Sequence, residues 1–234
     1  GDISVGNIRS LSETADGGRI DLNANKDVIT GLINSSSVQG NGGAIDLVAG
    51  GDITTQYLDS WSNSSSGNSG NGGDITLNAN TIKFNPPQYG NAEKLKINTF
   101  SVGSTDSKKA GEVNITTNNL SNTDILTLSS HSESGKVTIE SKTQEPLQIK
   151  DSSIITSEQV TITLPWGERI QVKTGDTQSG DVSINSDGDL NLSNVTIESD
   201  TKSNQAAGKV NIYSSGNITL CLLYTSPSPR DRVR

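Results

Sequence analysis

Asn71-Gly72-Gly73-Asp74-Ile75-Thr76-Leu77-Asn78-Ala79 holds the phrase that decides the fold. Its kernel is Gly, a variable residue, Ile/Leu/Val, a polar residue, then Leu or Ile. Upstream copies are Gly18-Arg19-Ile20-Asp21-Leu22 and Gly43-Ala44-Ile45-Asp46-Leu47. Downstream stand Glu93-Lys94-Leu95-Lys96-Ile97, Gly111-Glu112-Val113-Asn114-Ile115 and Gly135-Lys136-Val137-Thr138-Ile139. The last three are Glu158-Gln159-Val160-Thr161-Ile162, Gly180-Asp181-Val182-Ser183-Ile184 and Gly208-Lys209-Val210-Asn211-Ile212. Nine copies at a mean interval of about 24 residues fall in the window of solenoids and arrays.

Each copy alternates apolar and polar with a period of two, the signal of a half-buried strand. β-Branched Ile and Val dominate the inward slots and suit a pleated surface. A second short strand starts eight residues after the first Gly in several units, as in Gly188-Asp189-Leu190-Asn191-Leu192 and Gly216-Asn217-Ile218-Thr219-Leu220. A third apolar patch follows, as in Val195-Thr196-Ile197. Two or three short strands per unit is the content of one coil of a parallel β-helix. No stretch carries apolar residues at helical spacing for three turns. The expected fold is therefore an all-β, right-handed parallel β-helix of about nine coils over residues 1–220. Its rival is an antiparallel β-sandwich, which needs no single phrase repeated nine times.

Stacked coils put equivalent residues side by side. One inward column should hold Ile20, Ile45, Ile75, Leu95, Val113, Val137, Val160, Val182 and Val210. A second should hold the residue two places on, from Leu22 to Ile212. Asp74, Lys94, Glu112, Lys136, Gln159, Asp181 and Lys209 should form an outward column of largely alternating sign, which keeps like charges apart. Gly and Asn are expected at the corners, where turns use positive φ.

The chain has 18 basic and 26 acidic residues, a net charge of −8, one His and one Cys. Cys221 to Asp231 matches the translation of a sequencing-library adapter, so residues 221–234 are expected to be a non-native, disordered tail. Without Arg230, Asp231, Arg232 and Arg234 the body carries 15 basic and 25 acidic residues, a net −10. With no Met anywhere, it reads as an internal piece of a longer protein. An acidic body disfavours nucleic acid and anionic membrane as partners, because both need basic patches. No apolar run is long enough to span a bilayer as a helix.

Gly50-Gly51-Asp52-Ile53-Thr54-Thr55 and Gly180-Asp181-Val182-Ser183-Ile184-Asn185, together with the opening phrase, resemble the repeats of filamentous-haemagglutinin-like bacterial exoproteins, the large cyanobacterial members above all. The resemblance covers residues 1–220. It implies a secreted or cell-surface β-helical shaft or adhesive segment, exported by two-partner secretion with an outer-membrane transporter as partner. That family's amino-terminal secretion domain is not recognisable.

Chemistry-bearing residues are sparse. His131 is alone and lies in a polar loop, too few ligands for zinc. Asp21 and Asp46 should face each other across two coils, and Asp187 and Asp189 flank Gly188. Such pairs are the form of a glycosidase site or a Ca²⁺ site. The calcium β-roll pattern is absent, so no cofactor is expected, with Ca²⁺ as the exception to watch. Tyr57, Trp61, Tyr89 and Trp166 are the candidates for exposed aromatics that stack on a carbohydrate or anchor a host-cell or matrix partner. The expectation is a non-catalytic shaft or adhesive segment. The alternatives are a polysaccharide-processing β-helix lyase or hydrolase and a phage fibre segment.

Overall fold

The computed structural model describes residues 1–64, 67, 69–85, 96–103, 108–156, 159–163, 169–173, 177–201 and 205–225, with side chains omitted for 159–163, 169–173 and 222–225. Among these residues there is no helix. They are all-β, and apart from one two-stranded hairpin their sheets are parallel and built from successive circuits that stack on one another.

The phrase strands make the first side of each circuit. They are Ile20–Ala24, Ile45–Ala49, Ile75–Asn78, Val113–Thr116, Val137–Glu140, Val182–Ser186 and Val210–Ser214, a seven-stranded parallel sheet in sequence order. The register is in step throughout: Ile20 pairs Ile45, Ile45 pairs Ile75, Ile75 pairs Val113, Val113 pairs Val137, Val137 pairs Val182, and Val182 pairs Val210. The inward residues of the five central strands are essentially solvent-free, whereas Val210, with no described strand beyond it, is 44% exposed. They join one core with Val28, Ile53, Ile82, Leu120 and Ile149 from the second side, and Ile33, Leu58, Ile97, Ile125 and Ile154 from the third.

Two of the nine expected copies do not enter this sheet. Residues 93–95 lie outside the described residues, and Ile97 sits on the third side, paired with Leu58 and Ile125. Gln159–Thr163 forms an antiparallel hairpin with Arg169–Lys173, Val160 opposite Val172. This hairpin lies between Val137–Glu140 and Val182–Ser186, which pair directly and in parallel. Both excluded copies begin with Glu; all seven included copies begin with Gly.

That first residue is what the stacking selects. A Cβ on Gly73, Gly111, Gly135, Gly180 or Gly208 would fall far inside contact with the carbonyl oxygen of the equivalent Gly one circuit earlier. None of these glycines has positive φ. The expectation that they serve left-handed turns is corrected: they serve close backbone approach. Positive φ occurs instead at Asn122, Asp151 and Asn194, at 50–53°. These mark the corner between the second and third sides. There Leu147–Ile155 and Leu190–Glu198 run through both sides as single bent strands, merging them into one 13-stranded sheet.

Polar groups close the seams. Ser35, Ser60, Thr99, Thr127 and Thr156, all fully buried, donate their hydroxyls to phrase-glycine carbonyls, Thr99 to Gly111 and Thr127 to Gly135 at 2.7 Å each. Asx carboxylates and amides clip one circuit to the next. Asp16 Oδ1 accepts the Asn41 N–H and Asn41 Oδ1 accepts the Asn71 N–H, both at 2.8 Å, and Asp181 Oδ1 accepts the Lys209 N–H at 2.7 Å. Each clip satisfies a backbone donor that the turn would otherwise leave open.

The outward charge column also differs from expectation. With the Lys94 copy outside the sheet, Asp74 and Glu112 are direct neighbours, and the Asp74 carboxylate is occupied by the Glu112 N–H at 2.8 Å. At the far end, the strand Ile218–Thr225 pairs with Leu190–Glu198 as far as Thr225 opposite Ile197. The boundary expected at Leu220 therefore falls inside a strand. An open strand edge templates whatever chain follows it.

Candidate groove on the third side

The third side has two faces. Ile33, Leu58, Ile97 and Ile125 point into the core, so their neighbours in the strands point away from it. Register sorts these outward residues into columns. Ser12 pairs Ser37, Ser37 pairs Ser62, Ser62 pairs Ser101 and Ser101 pairs Ser129. The residues just before them therefore align as Leu11, Ser36, Trp61, Phe100 and Leu128. Two places earlier lie Arg9, Asn34, Asp59 and Asn98.

Trp61 stacks on Phe100, ring centroids 5.4 Å apart and planes within 4° of parallel. With Leu126 and Leu128 they form a second apolar cluster, separate from the core. Trp61 is only 8% exposed and Tyr57 only 3%. The expectation of two solvent-exposed aromatics is corrected here: packing between circuits covers both. Tyr89 and Trp166 lie outside the described residues.

The column of large side chains stops at Trp61. Ser36 follows it, then Leu11. This change of size leaves a groove with a cavity of about 700 Å³, lined by Arg9, Leu11, Glu13, Asn34, Val38 and Trp61. Leu11 and Val38 are 58% and 39% exposed apolar walls. Asn34 is 3% exposed, and its Oδ1 accepts the Ser36 N–H at 3.0 Å, so its amide group is held at the floor.

Asp59 lies beside Asn34 in the neighbouring circuit and is completely buried. Its Oδ1 accepts from Asn98 Nδ2 at 2.7 Å, while its Oδ2 has no hydrogen-bond partner. Burial pushes its carboxyl up to about 7, against the lowering effect of the Asn98 hydrogen bond.

The other candidates are dispersed. Asp21 and Asp46 are register partners as the sequence implied, and Arg19 spans them, with Nε 2.8 Å from Asp21 and Nη2 2.6 Å from Asp46. Asp189 Oδ1 accepts the Asn217 N–H at 2.8 Å. Asp187 donates its backbone N–H to Ser141 Oγ at 2.9 Å. Ser130 Oγ lies 2.8 Å from His131 Nδ1. Among the described residues no three His, Cys, Asp or Glu side chains come together as a metal site. No described helix is long and apolar enough to cross a membrane.

The sequence singled out Trp61 but missed the groove, because Arg9, Asn34 and Ser36 carry no motif. The available signal was the run of serines at 12, 37 and 62, whose common register places Leu11, Ser36 and Trp61 in one column. No family model, curated protein or solved structure matches the chain.

Proposed function

We propose that this chain is a right-handed parallel β-helix segment of a filamentous-haemagglutinin-like exoprotein, serving as a non-catalytic shaft or adhesive segment at the bacterial surface. The observation that carries the reading is the single in-register ladder of seven Gly-led strands around an unbroken aliphatic core. Such a stack is quasi-one-dimensional: each circuit contacts its neighbours, and its product is a long surface. Seven phrase circuits and one leading circuit span roughly 40 Å at the usual strand spacing.

The reading as a shaft, and not as a polysaccharide-processing enzyme, is supported by the paired carboxylates. Arg19 bridges Asp21 and Asp46, so neither carboxylate is placed as a free acid or base. A glycosidase needs two carboxyl groups flanking a bound sugar at a defined separation. Export would involve an outer-membrane transporter, and the partner would be a host-cell or matrix glycan or protein.

Antibodies against residues 1–220 should label intact, non-permeabilised cells that express the gene, and brief external protease treatment should remove the label. Labelling only after permeabilisation would overturn the surface reading. Incubation with pectins, alginates and glycosaminoglycans should release no new reducing ends or unsaturated products. Products lost on changing Asp21 or Asp46 would replace the shaft with the enzyme.

A further inference from the structure

We infer that the groove between Leu11 and Trp61 is a binding site for one uncharged hexopyranose unit of a glycan. The inference rests on the adhesive reading, to which it adds the site and the ligand class.

Its physical basis is an interruption in a side-chain column. Leu128, Phe100 and Trp61 stack on successive circuits, and Phe100 fixes the Trp61 ring from one side. On the other side the column offers only Ser36 before Leu11 returns. Two circuit spacings, roughly 10 Å between backbones, therefore hold one small residue where the column elsewhere holds a ring. The space left is the height of one ring, walled mainly by the exposed Leu11 and Val38, with the 8% of Trp61 that packing leaves open at its end. Pyranose rings carry C–H faces that suit such apolar walls, and aromatic walls held rigid lose little entropy on binding.

The polar lining selects the class. The Asn34 amide N–H group donates no hydrogen bond among the described residues, and its carbonyl oxygen is already taken by the Ser36 N–H. Arg9 supplies further donors and Glu13 an acceptor, at the same groove. Donors and acceptors together match a sugar's hydroxyls, which do both. Glu13 and the net charge of −8 oppose an anionic sugar, and Arg9 opposes a cationic one. A neutral ring meets neither penalty. The affinity expected of one such site is in the millimolar range, and repetition along a surface would raise it by avidity.

Ligand-observed NMR saturation transfer tests the inference, using the methyl glycosides of glucose, galactose and mannose against methyl glucuronoside. At least one neutral glycoside should receive saturable transfer at its ring protons, and the glucuronoside should bind about tenfold more weakly or not at all. Transfer should vanish in Trp61→Ala and in Leu11→Trp, and persist in Trp166→Ala. Leu11 is exposed, so Leu11→Trp fills the groove without disturbing the core and remains decisive if Trp61→Ala fails to fold. No transfer to any neutral glycoside, transfer surviving in Leu11→Trp, or tighter binding of the glucuronoside would each overturn it. Failure here with external labelling intact removes the ligand and leaves the surface reading standing; the converse removes the surface reading alone.

Discussion

Gly135-Lys136-Val137-Thr138-Ile139 and Glu158-Gln159-Val160-Thr161-Ile162 share the same alternation, yet they end in different structures. The first lies in the seven-stranded parallel sheet, with Ile139 between Ile115 and Ile184. The second turns back on Arg169–Lys173 as an antiparallel hairpin. Hydrophobic pattern makes both of them strands; it does not decide which strand stacks. What separates them is the leading residue. A Cβ at position 135 would meet the Gly111 carbonyl, and the same geometry recurs at Gly73, Gly111, Gly180 and Gly208. Glu at this position cannot enter the column, so its segment leaves the stack as an insertion. Glycine here acts as a register mark, through the space it leaves empty.

The largest effect should come from filling that space. Gly135→Val sets a branched side chain against backbone on the neighbouring circuit, where no rotamer change relieves the clash. A loss of about 5 kcal/mol or more is expected in denaturant unfolding. A loss under 1 kcal/mol would show that the circuits yield easily and that the leading glycine is incidental. Ile115→Asp breaks the core between the same circuits by burying a charge with no partner. It should cost about 4–5 kcal/mol and remove the cooperative transition in thermal melts.

Asp59 sharpens the contrast between the first side, dry and aliphatic inside, and the third side, with its buried polar column. Its carboxyl is held at about 7, above its ordinary value of 3.8, because burial favours the neutral form. Between these values the folded state binds the proton and the unfolded chain releases it. Stability should therefore fall as pH rises from about 4 to about 7, and this contribution should be flat above that. The amplitude is on the order of 4 kcal/mol. Asp59→Asn should remove the fall and be the more stable protein at pH 8. An unchanged pH profile in that variant would mean that Asp59 is solvated. The smallest effect is expected at Glu158→Gly, within about 0.5 kcal/mol of the parent, since losing the side chain does not by itself open a column that Gly135 and Gly180 already close against each other.

Much of the first side is legible in the residues themselves. Strict alternation at Ile45-Asp46-Leu47 and Ile75-Thr76-Leu77 fixes which side chains are buried, and the Asp21–Asp46 pairing follows from register alone. The third side is not legible in the same way. Tyr57-Leu58-Asp59-Ser60-Trp61 is buried on both faces, so its apolar residues show no clean alternation. Trp61 precedes a polar Ser/Asn stretch, a neighbourhood that reads as open to solvent. Its burial comes from Phe100 in the following circuit, a contact that exists only once the insertion between them is discounted. Spacing misled for the same reason. Counting Glu-led copies as coils made the intervals look even, whereas the inward residues that stack stand at 20, 45, 75, 113, 137, 182 and 210.

The most direct test sets the two copies after Thr138 against each other. Thr138 is paired in parallel with Ser183, two copies on in the sequence, past the hairpin that holds Thr161. In a Cys221→Ser background, cysteines at adjacent in-register positions fall within the range a disulfide can close. Thr138→Cys with Ser183→Cys should oxidise to a cross-link under native conditions, while Thr138→Cys with Thr161→Cys should stay reduced. Efficient cross-linking between 138 and 161, with none between 138 and 183, would return the 158–162 copy to the stack and contradict the role assigned to the leading glycine.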